Sequence, residues 1–215
     1  MPAPIRAAAA ALLFASAAGA AHAEDASKWF VHLGPAIVAP SESATLTAGG
    51  APVAGADVSI KSRWTFEGEV GRYLTPNIAV ALAAGAPPKF TIKGAGTLAS
   101  VGTAGKMTGG PAGIFVQYHI NRGGMIQPYV GAGGALLLVF GTNDGVLTNL
   151  HAKSAVGPAV QVGADVMFND RWGAFVDVKK AWIKTTATGM LGPAPVRARV
   201  TVDPLVPHAG VAYHF

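Results

Sequence analysis

Apolar and polar residues alternate with a period of two along much of the chain. In the final stretch, residues 200–215, every second residue from Ala209 to Phe215 is apolar, and the residues between them are small or polar. Successive side chains of a strand point to opposite faces, so this stretch predicts a β-strand with one apolar face. That face would point towards the core of a soluble sheet or towards lipid in a membrane barrel.

The same alternation divides the chain into eight extended segments, which are residues 29–38, 58–73, 78–92, 106–120, 127–140, 155–168, 172–186 and 200–215. Tight turns at 75–77, 121–124 and 169–171 alternate with long connections rich in Ser, Thr, Gly and Ala, at 39–57, 93–105, 141–154 and 187–199. Short periplasmic turns, long outer loops and an even strand number are typical of bacterial outer-membrane barrels. The sequence therefore predicts an all-β fold, an eight-stranded antiparallel transmembrane β-barrel. A soluble lipocalin-like barrel is the alternative.

The N-terminal residues predict export. Residues 1–23 contain Arg6, an apolar run over 7–21 and the sequence Ala21-His22-Ala23. This pattern is typical of a secretory signal peptide cleaved after Ala23, which would leave residues 24–215 as the outer-membrane barrel domain. The composition agrees, because 51% of the residues are hydrophobic and only 13% are charged, without a helix-length apolar run beyond the signal. In a barrel, only alternate residues of each strand face lipid.

Composition also argues against several functions. The chain has no cysteine, so neither disulfides nor thiol chemistry are available. The net charge of +5 is spread along the chain and predicts no nucleic-acid binding. His151 and Ser154 lie near each other without a neighbouring carboxylate, so we predict no enzyme activity and no cofactor. One alternative stays open, a zinc site where His32 and His214 would meet as the barrel closes.

Several short stretches together resemble the outer membrane protein W (OmpW) family of small barrels. They are residues 77–80, 128–133, 161–165, 169–172, 177–179, 183–185, 203–204 and 213–215, and they span nearly the whole mature chain in family order. The family includes transporters of alkanes and other hydrophobic compounds, so the resemblance implies a small hydrophobic ligand that enters at the loop end and leaves sideways into the membrane. Val211, Tyr213 and Phe215 resemble the assembly signal that the barrel-assembly machinery recognises. This implies that machinery and the outer-membrane lipids as partners.

The residues opposite the lipid-facing positions predict a polar lumen. An eight-stranded barrel has an interior that side chains fill, so charges of both signs would face each other across it. They would form a paired network that blocks water and ions, either as ordinary structure or as a polar plug that diverts a substrate sideways. The predicted members are His32, Arg63, Glu67, Glu69, Asp165, Asp177, Lys179 and His214.

Two further features bear on passage. Pro87, Pro88 and Pro111 lie in neighbouring segments, and proline cannot donate to a strand ladder, so they mark either a lateral opening or the region above the membrane. The run 134–140 is apolar on both faces. Its residues Leu136, Leu138 and Phe140 are predicted to line an apolar entrance or to pack under the loops.

By resemblance, the passage would narrow at Ala83 and Lys179, where some family members carry a bulky apolar residue and an aromatic; this chain departs from that pattern. The sequence as a whole predicts passive passage of small hydrophobic molecules. The alternative is a structural or surface-interaction barrel, whose connections at 39–57 and 187–199 would bind a partner or stabilise the envelope. The sequence leaves the oligomeric state open.

Overall fold

The structure is a computed structural model that describes residues 28–215, so the predicted signal peptide and its cleavage site lie outside the described residues. Eight strands form a closed antiparallel barrel in the spatial order β1, β5, β6, β8, β9, β11, β12, β15 and back to β1. Their bounds are β1 Trp29–Val38, β5 Arg63–Tyr73, β6 Ile78–Gly85, β8 Thr103–His119, β9 Ile126–Asp144, β11 Ala155–Met167, β12 Trp172–Ala181 and β15 Leu205–His214. The prediction of an eight-stranded antiparallel barrel is confirmed.

The long connections, which the sequence predicted as loops, consist largely of further β-structure. The further strands are β2 Glu42–Ala48, β3 Ala51–Val53, β4 Ala56–Ile60, β7 Lys89–Gly96, β10 Thr148–Ala152, β13 Ile183–Leu191 and β14 Ala194–Val202. Of these, β4, β7, β13 and β14 also extend into the predicted segments 58–73, 78–92, 172–186 and 200–215. Strands β4 and β7 extend the barrel wall beside β8. The others form a second sheet in the order β10, β13, β14, β2, β3. Small and hydroxylated residues are typical of loops, and here they obscured an alternation such as Val196, Ala198 and Val200, which are buried, with exposed Arg197 and Arg199.

The two ends of the barrel differ. The short turns and both termini of the described chain lie at one end, the turn end, where the Trp29 N–H donates to the Phe215 carbonyl at 2.8 Å. The second sheet lies at the opposite end, the loop end, where its β2 packs against β4. Its inner face packs Leu46, Val196 and Ala198 into an apolar cluster.

The outer surface of the barrel is an apolar band. Alternate residues on every barrel strand are exposed and hydrophobic, among them Leu33, Leu82, Ile114, Val116, Val130, Val160, Val162, Val176 and Val211. On β15, Val211 is 50% exposed while Ala212 is fully buried, which matches the alternation in the sequence. Tyr213 stacks on Phe215 and contacts Trp172 at the turn end, with ring centroids 5.7 and 4.5 Å apart. Their assembly role stays a prediction.

Within residues 28–215, no helix is long and apolar enough to cross a membrane.

The pairing of the first and last barrel strands, β1 and β15, depends on two glycines. A Cβ placed on Gly34 would lie 1.9 Å from the Ala209 carbonyl oxygen, and one on Gly210 would lie 2.1 Å from that of Leu33. No side chain fits at that separation. The absence of a Cβ at both positions therefore lets β1 and β15 approach closely and close the barrel.

Candidate functional site

A polar core fills the barrel between the turn end and its middle. It consists of buried side chains from six barrel strands, His32, Glu67, Glu69, Gln117, His119, Gln161, Asp165, Asp177, Lys179, His208 and His214. Alternation explains the arrangement, because each strand turns its polar residues inward and its apolar residues towards the outer surface. The structure brings together seven of the eight residues that the sequence assigned to the lumen.

Lys179 is the centre of this polar core. Its Nζ lies 2.8 Å from Glu67 Oε1, 3.0 Å from Asp177 Oδ1 and 3.5 Å from Glu69 Oε2. The Lys179 side chain is 9% exposed and the three carboxylates are more deeply buried. A buried charge is tolerated only when it is paired, and here one ammonium group contacts carboxylates from two strands.

Neutral amides and a phenol connect the carboxylates. The Gln161 Nε2 donates to Glu69 Oε2 and to Asp177 Oδ2, both at 3.0 Å, and Gln117 Nε2 donates to Glu69 Oε1 at 2.9 Å. The Tyr129 hydroxyl donates to Asp177 Oδ2 at 3.1 Å. The sequence interpretation missed these three residues because they carry no charge. Alternation alone could have placed Gln161 in the lumen, since it lies four residues before Asp165 on the same face of β11.

Histidine side chains lie against the remaining carboxylates of the polar core. Four carboxylates face one lysine there, and the imidazoles approach them closely. His32 Nε2 lies 3.0 Å from Asp165 Oδ1, His214 Nε2 lies 3.1 Å from Asp165 Oδ2, and His208 Nδ1 lies 3.5 Å from Glu67 Oε1. His32 and His214 do meet, as the zinc alternative requires, and with Asp165 their ligand atoms lie within 4.8 Å of one another. Both imidazoles therefore approach the same carboxylate, and the zinc alternative stays a prediction.

Arg63 does not belong to the polar core, and its assignment to the lumen was wrong. It has the inward parity, but its side chain is exposed at the first residue of β5, opposite Val38 at the loop end of the wall. A long cationic side chain at a strand end reaches water at little cost. Parity alone does not determine the depth of a residue along the barrel.

An apolar cavity of about 290 Å³ lies above the polar core. Its lining comes from the barrel and from the second sheet, and among residues 28–215 its charged lining residues are Glu67 and Lys179. Ala83 and Phe115 are buried at its lower end, and Leu46 and Ala198 lie at its upper end. The cavity is therefore open to apolar molecules of modest size and has a charged floor.

Most of the predicted apolar entrance lies on the outer face of β9. Phe140 is 64% exposed and Leu138 shares its parity, whereas Leu136, which is 37% exposed, also lines the cavity. The inward residues are Leu137 and Val139, which pack against the buried clusters of the interior. Both faces of this stretch are apolar, so alternation could not distinguish them. Tyr129, buried lower on the same strand, fixes the odd-numbered residues as inward.

The predicted narrowing lies at the cavity floor, because both Ala83 and Lys179 line it. The proline region also lies beside the cavity. Pairing between β6 and β8 ends at Ala84 with Ala112, and pairing between β7 and β8 begins at Lys89 with Thr108.

The interval between these two ladders forms a seam, residues 85–88 against 109–111. Across it, the Gly109 N–H donates to the Pro88 carbonyl at 3.2 Å. Pro111 is part of the cavity lining. The seam is narrow, since a Cβ on Gly110 would lie 3.2 Å from the Pro87 Cα.

The closed barrel, its apolar outer band and its polar interior define a β-barrel protein of the bacterial outer membrane. The family model for the "OmpW family" matches residues 25–215, and the chain belongs to this family. It is 34% identical over 174 residues to "Outer membrane protein AlkL" of Ectopseudomonas oleovorans, covering 81% of this chain and 76% of that protein. It is also 34% identical over 191 residues to "Dibenzothiophene metabolism operon protein PahQ" of Pseudomonas aeruginosa, covering 88% and 89%.

Solved structures agree. The crystal structure of OprG from Pseudomonas aeruginosa aligns with a TM-score of 0.83 at 22% identity, covering 89% of this chain and 97% of that one. The solid-state NMR structure of AlkL in lipid bilayers aligns with a TM-score of 0.71 at 31% identity, covering 89% and 91%. The resemblance and the outer-membrane location are confirmed. The family and the fold are those of outer-membrane barrels and not of enzymes.

Proposed function

We propose that this protein gives small hydrophobic molecules passive passage through the loop end of the barrel and releases them sideways into the outer membrane. The observation that carries the proposal is the apolar cavity of about 290 Å³, which lies between the second sheet and a charged floor. An apolar molecule gains free energy by leaving water for such a cavity. Resemblance to relatives named AlkL and PahQ, the latter named for a dibenzothiophene metabolism operon, supports the same class of cargo.

The polar core argues against a straight path to the periplasm. Below the cavity, Lys179, Glu67 and Asp177 form a buried network that an apolar molecule would have to break without offering hydrogen bonds in return. Leaving one partner of a buried ion pair uncompensated costs about 3–5 kcal/mol. Sideways release into lipid avoids that cost.

The seam between residues 85–88 and 109–111 is the proposed exit. Three prolines remove three N–H donors from a region where neighbouring strands would otherwise share a continuous ladder. The cavity lining includes Gly109, Gly110 and Pro111. Because the strands still touch there, release requires a local separation that few hydrogen bonds resist.

Entry is tested by uptake of 1-N-phenylnaphthylamine, an apolar fluorescent probe, into cells that produce each variant. Ala83→Trp places a large side chain at the cavity floor and is expected to slow uptake at least severalfold. Ala132→Trp is the matched control, because Ala132 is exposed on the lipid-facing side of β9 and its substitution leaves the cavity unchanged. Equal uptake by both variants at equal folded protein would contradict the proposal.

The exit is tested with engineered disulfides. The sequence contains no cysteine, so no native thiol competes with the introduced pairs. Ala84→Cys with Ala112→Cys and Lys89→Cys with Thr108→Cys join paired residues on either side of the seam. Oxidation is expected to slow uptake and reduction to restore it.

A Val162→Cys, Val178→Cys pair bridges β11 and β12 as a control and is expected to have no effect. If locking the seam leaves uptake unchanged while Ala83→Trp blocks it, the molecules leave the cavity by another path.

A further inference from the structure

The outer face of the second sheet carries a cationic, hydroxyl-rich surface that transport of an apolar molecule does not require. Alternation turns Leu46, Val196, Ala198 and Val200 inward, so the intervening residues point outward. The outward residues of this face are Ser43, Thr45, Thr47, His151, Lys184, Thr186, Thr188, Arg197, Arg199 and Thr201. We call them the basic face.

Cross-strand pairing places each cation of the basic face beside hydroxyl groups. Arg199 lies between Thr45 of β2 and Thr186 of β13. Arg197 lies between Thr47 and Thr188 in the next row. Directly opposed residues on one face of a sheet lie close together, so each row offers a cation and hydroxyl donors to one ligand.

The Lys184 row has the same composition. Lys184 pairs with Thr201 of β14, and Thr201 pairs with Ser43 of β2. An open groove of about 480 Å³ runs beside Arg197, and Thr47, Thr188 and Asn149 also line it.

These cations have no carboxylate partners. Lys184, Arg197 and Arg199 are exposed, and none of them forms an ion pair within residues 28–215. The nearby carboxylates bind backbone groups instead. Asp144 accepts from the Asn149 and Leu150 N–H groups.

Three other carboxylates near the second sheet also accept from backbone groups, and the first is Asp57, whose Oδ1 accepts from the Ala44 N–H at 2.8 Å. Glu42 Oε1 accepts from the Ile60 N–H at 2.7 Å, and Asp203 Oδ1 accepts from the Ile183 N–H at 3.1 Å. The basic face therefore keeps its positive charge for an external anion.

The position of the basic face indicates which anion that is. Trp172 and Trp182 point outward at the two ends of β12, ten residues apart, and both are exposed. At about 3.3 Å per residue and a tilt of about 40°, they bracket a height of about 25 Å, the thickness of the apolar band of an outer-membrane barrel. Lys184 follows Trp182 by two residues on the same side. The basic face thus begins where the hydrocarbon layer ends and the lipid headgroups of the outer leaflet lie.

We propose that the basic face binds the phosphate groups of the phosphorylated glycolipid that forms the outer leaflet of the bacterial outer membrane. Guanidinium groups pair with phosphate through parallel hydrogen bonds, and the threonine and serine hydroxyls suit the sugar groups that carry the phosphates. The proposal uses a surface separate from the cavity and does not depend on the proposed passage of apolar molecules.

The test is binding of diphosphoryl lipid A to the full-length protein in neutral detergent, measured by native mass spectrometry and calorimetry. A surface cation near an anionic headgroup contributes about a fivefold change in affinity, so Lys184→Gln with Arg197→Gln and Arg199→Gln is expected to weaken binding about 100-fold. The matched control removes the same charge elsewhere at the loop end, by Lys61→Gln, Lys89→Gln and Lys93→Gln. It is expected to change affinity by less than about threefold.

Three outcomes would overturn the proposal. Equal losses in both triple variants would show a diffuse attraction of net charge, and unchanged binding would show that the basic face is not the site. Binding of inorganic phosphate without binding of lipid A would identify a free anion as the ligand. All the substituted residues are exposed, and heat-dependent mobility on a denaturing gel verifies that each variant has folded.

Discussion

Replacement of Lys179 by methionine tests whether the polar core is held together by charge pairing. Methionine keeps much of the length and apolar surface of the side chain and removes the ammonium group. In the native barrel that group contacts Glu67 at 2.8 Å, Asp177 at 3.0 Å and Glu69 at 3.5 Å. No other lysine or arginine is buried in the polar core within residues 28–215.

The expected loss in the free energy of unfolding follows from these contacts. Removing one partner of a buried ion pair costs about 3–5 kcal/mol, because the remaining charge stays desolvated without compensation. Lys179→Met leaves three carboxylates in that condition, so the upper part of this range is expected. Removing one carboxylate as well, in Glu67→Gln with Lys179→Met, reduces the excess negative charge and should recover at least one third of the loss.

Urea unfolding in lipid vesicles, followed by the fluorescence of the four tryptophans, measures this free energy. Lys61→Met removes an exposed lysine and is the control, with an expected change within about 0.5 kcal/mol. A loss below about 1 kcal/mol for Lys179→Met is the size expected of a surface ion pair and would refute the argument. So would a Glu67→Gln, Lys179→Met variant that is less stable than Lys179→Met alone.

Two further predictions concern the wall and the loop end. Gly210→Ala forces a methyl group against the Leu33 carbonyl and should destabilise the barrel by about 1–3 kcal/mol in the same urea assay. Gly141→Ala is the control and should leave stability unchanged, because no heavy atom lies within 4 Å of its new Cβ. Equal losses in the two variants would contradict the close approach of β1 and β15. Hydrogen bonds from the backbone N–H of Leu150 and, to a smaller extent, that of Asn149 hold the pKa of Asp144 below its usual value of 3.8. The ionised carboxylate therefore stabilises its turn above pH 3.8, and this stabilisation is lost as the pH falls through the lowered pKa. The NMR shift of the Leu150 amide should titrate with a midpoint below 3.8 and stop titrating in Asp144→Asn; a midpoint above 3.8 would show that the hydrogen bonds do not favour the ionised form.

The number of barrel strands and the membrane location of the protein were predictable because both depend on local patterns. Alternation from Ala209 to Phe215 marks one lipid-facing row, and the apolar band of the barrel repeats it on each strand. The short turns were equally local. The inward polar residues Glu67, Glu69 and Asp165 also followed from parity, since a side chain on a barrel strand has only two directions available.

The inward face could not be predicted for a stretch of strand whose two faces are equally apolar. On β9, Leu136 and Leu137 are equally apolar, and only the registration of the strand between β8 and β11 decides that Leu137 points inward. Arg63 has the parity of an inward residue, but it lies at the loop-end limit of the barrel wall, where its side chain reaches water. Its position along the barrel axis depends on where β5 begins, which parity does not give. Neutral partners such as Gln161 have a role only because Glu69 and Asp177 come from other strands.

The amino-acid sequence by itself determined the barrel, its membrane and the inward face of those strands whose two faces differ in polarity, since these follow from the period of a strand and from solvent preference within a few residues. The tertiary structure alone decided that the long connections form a second sheet, that an apolar cavity lies above Lys179, and that Thr47 and Thr45 of β2 lie beside Arg197 and Arg199 of β14. Each of these features joins segments more than a hundred residues apart, as in the pairing of Thr45 with Arg199. Contacts of that range depend on the order in which strands meet around the barrel, which a local pattern does not contain.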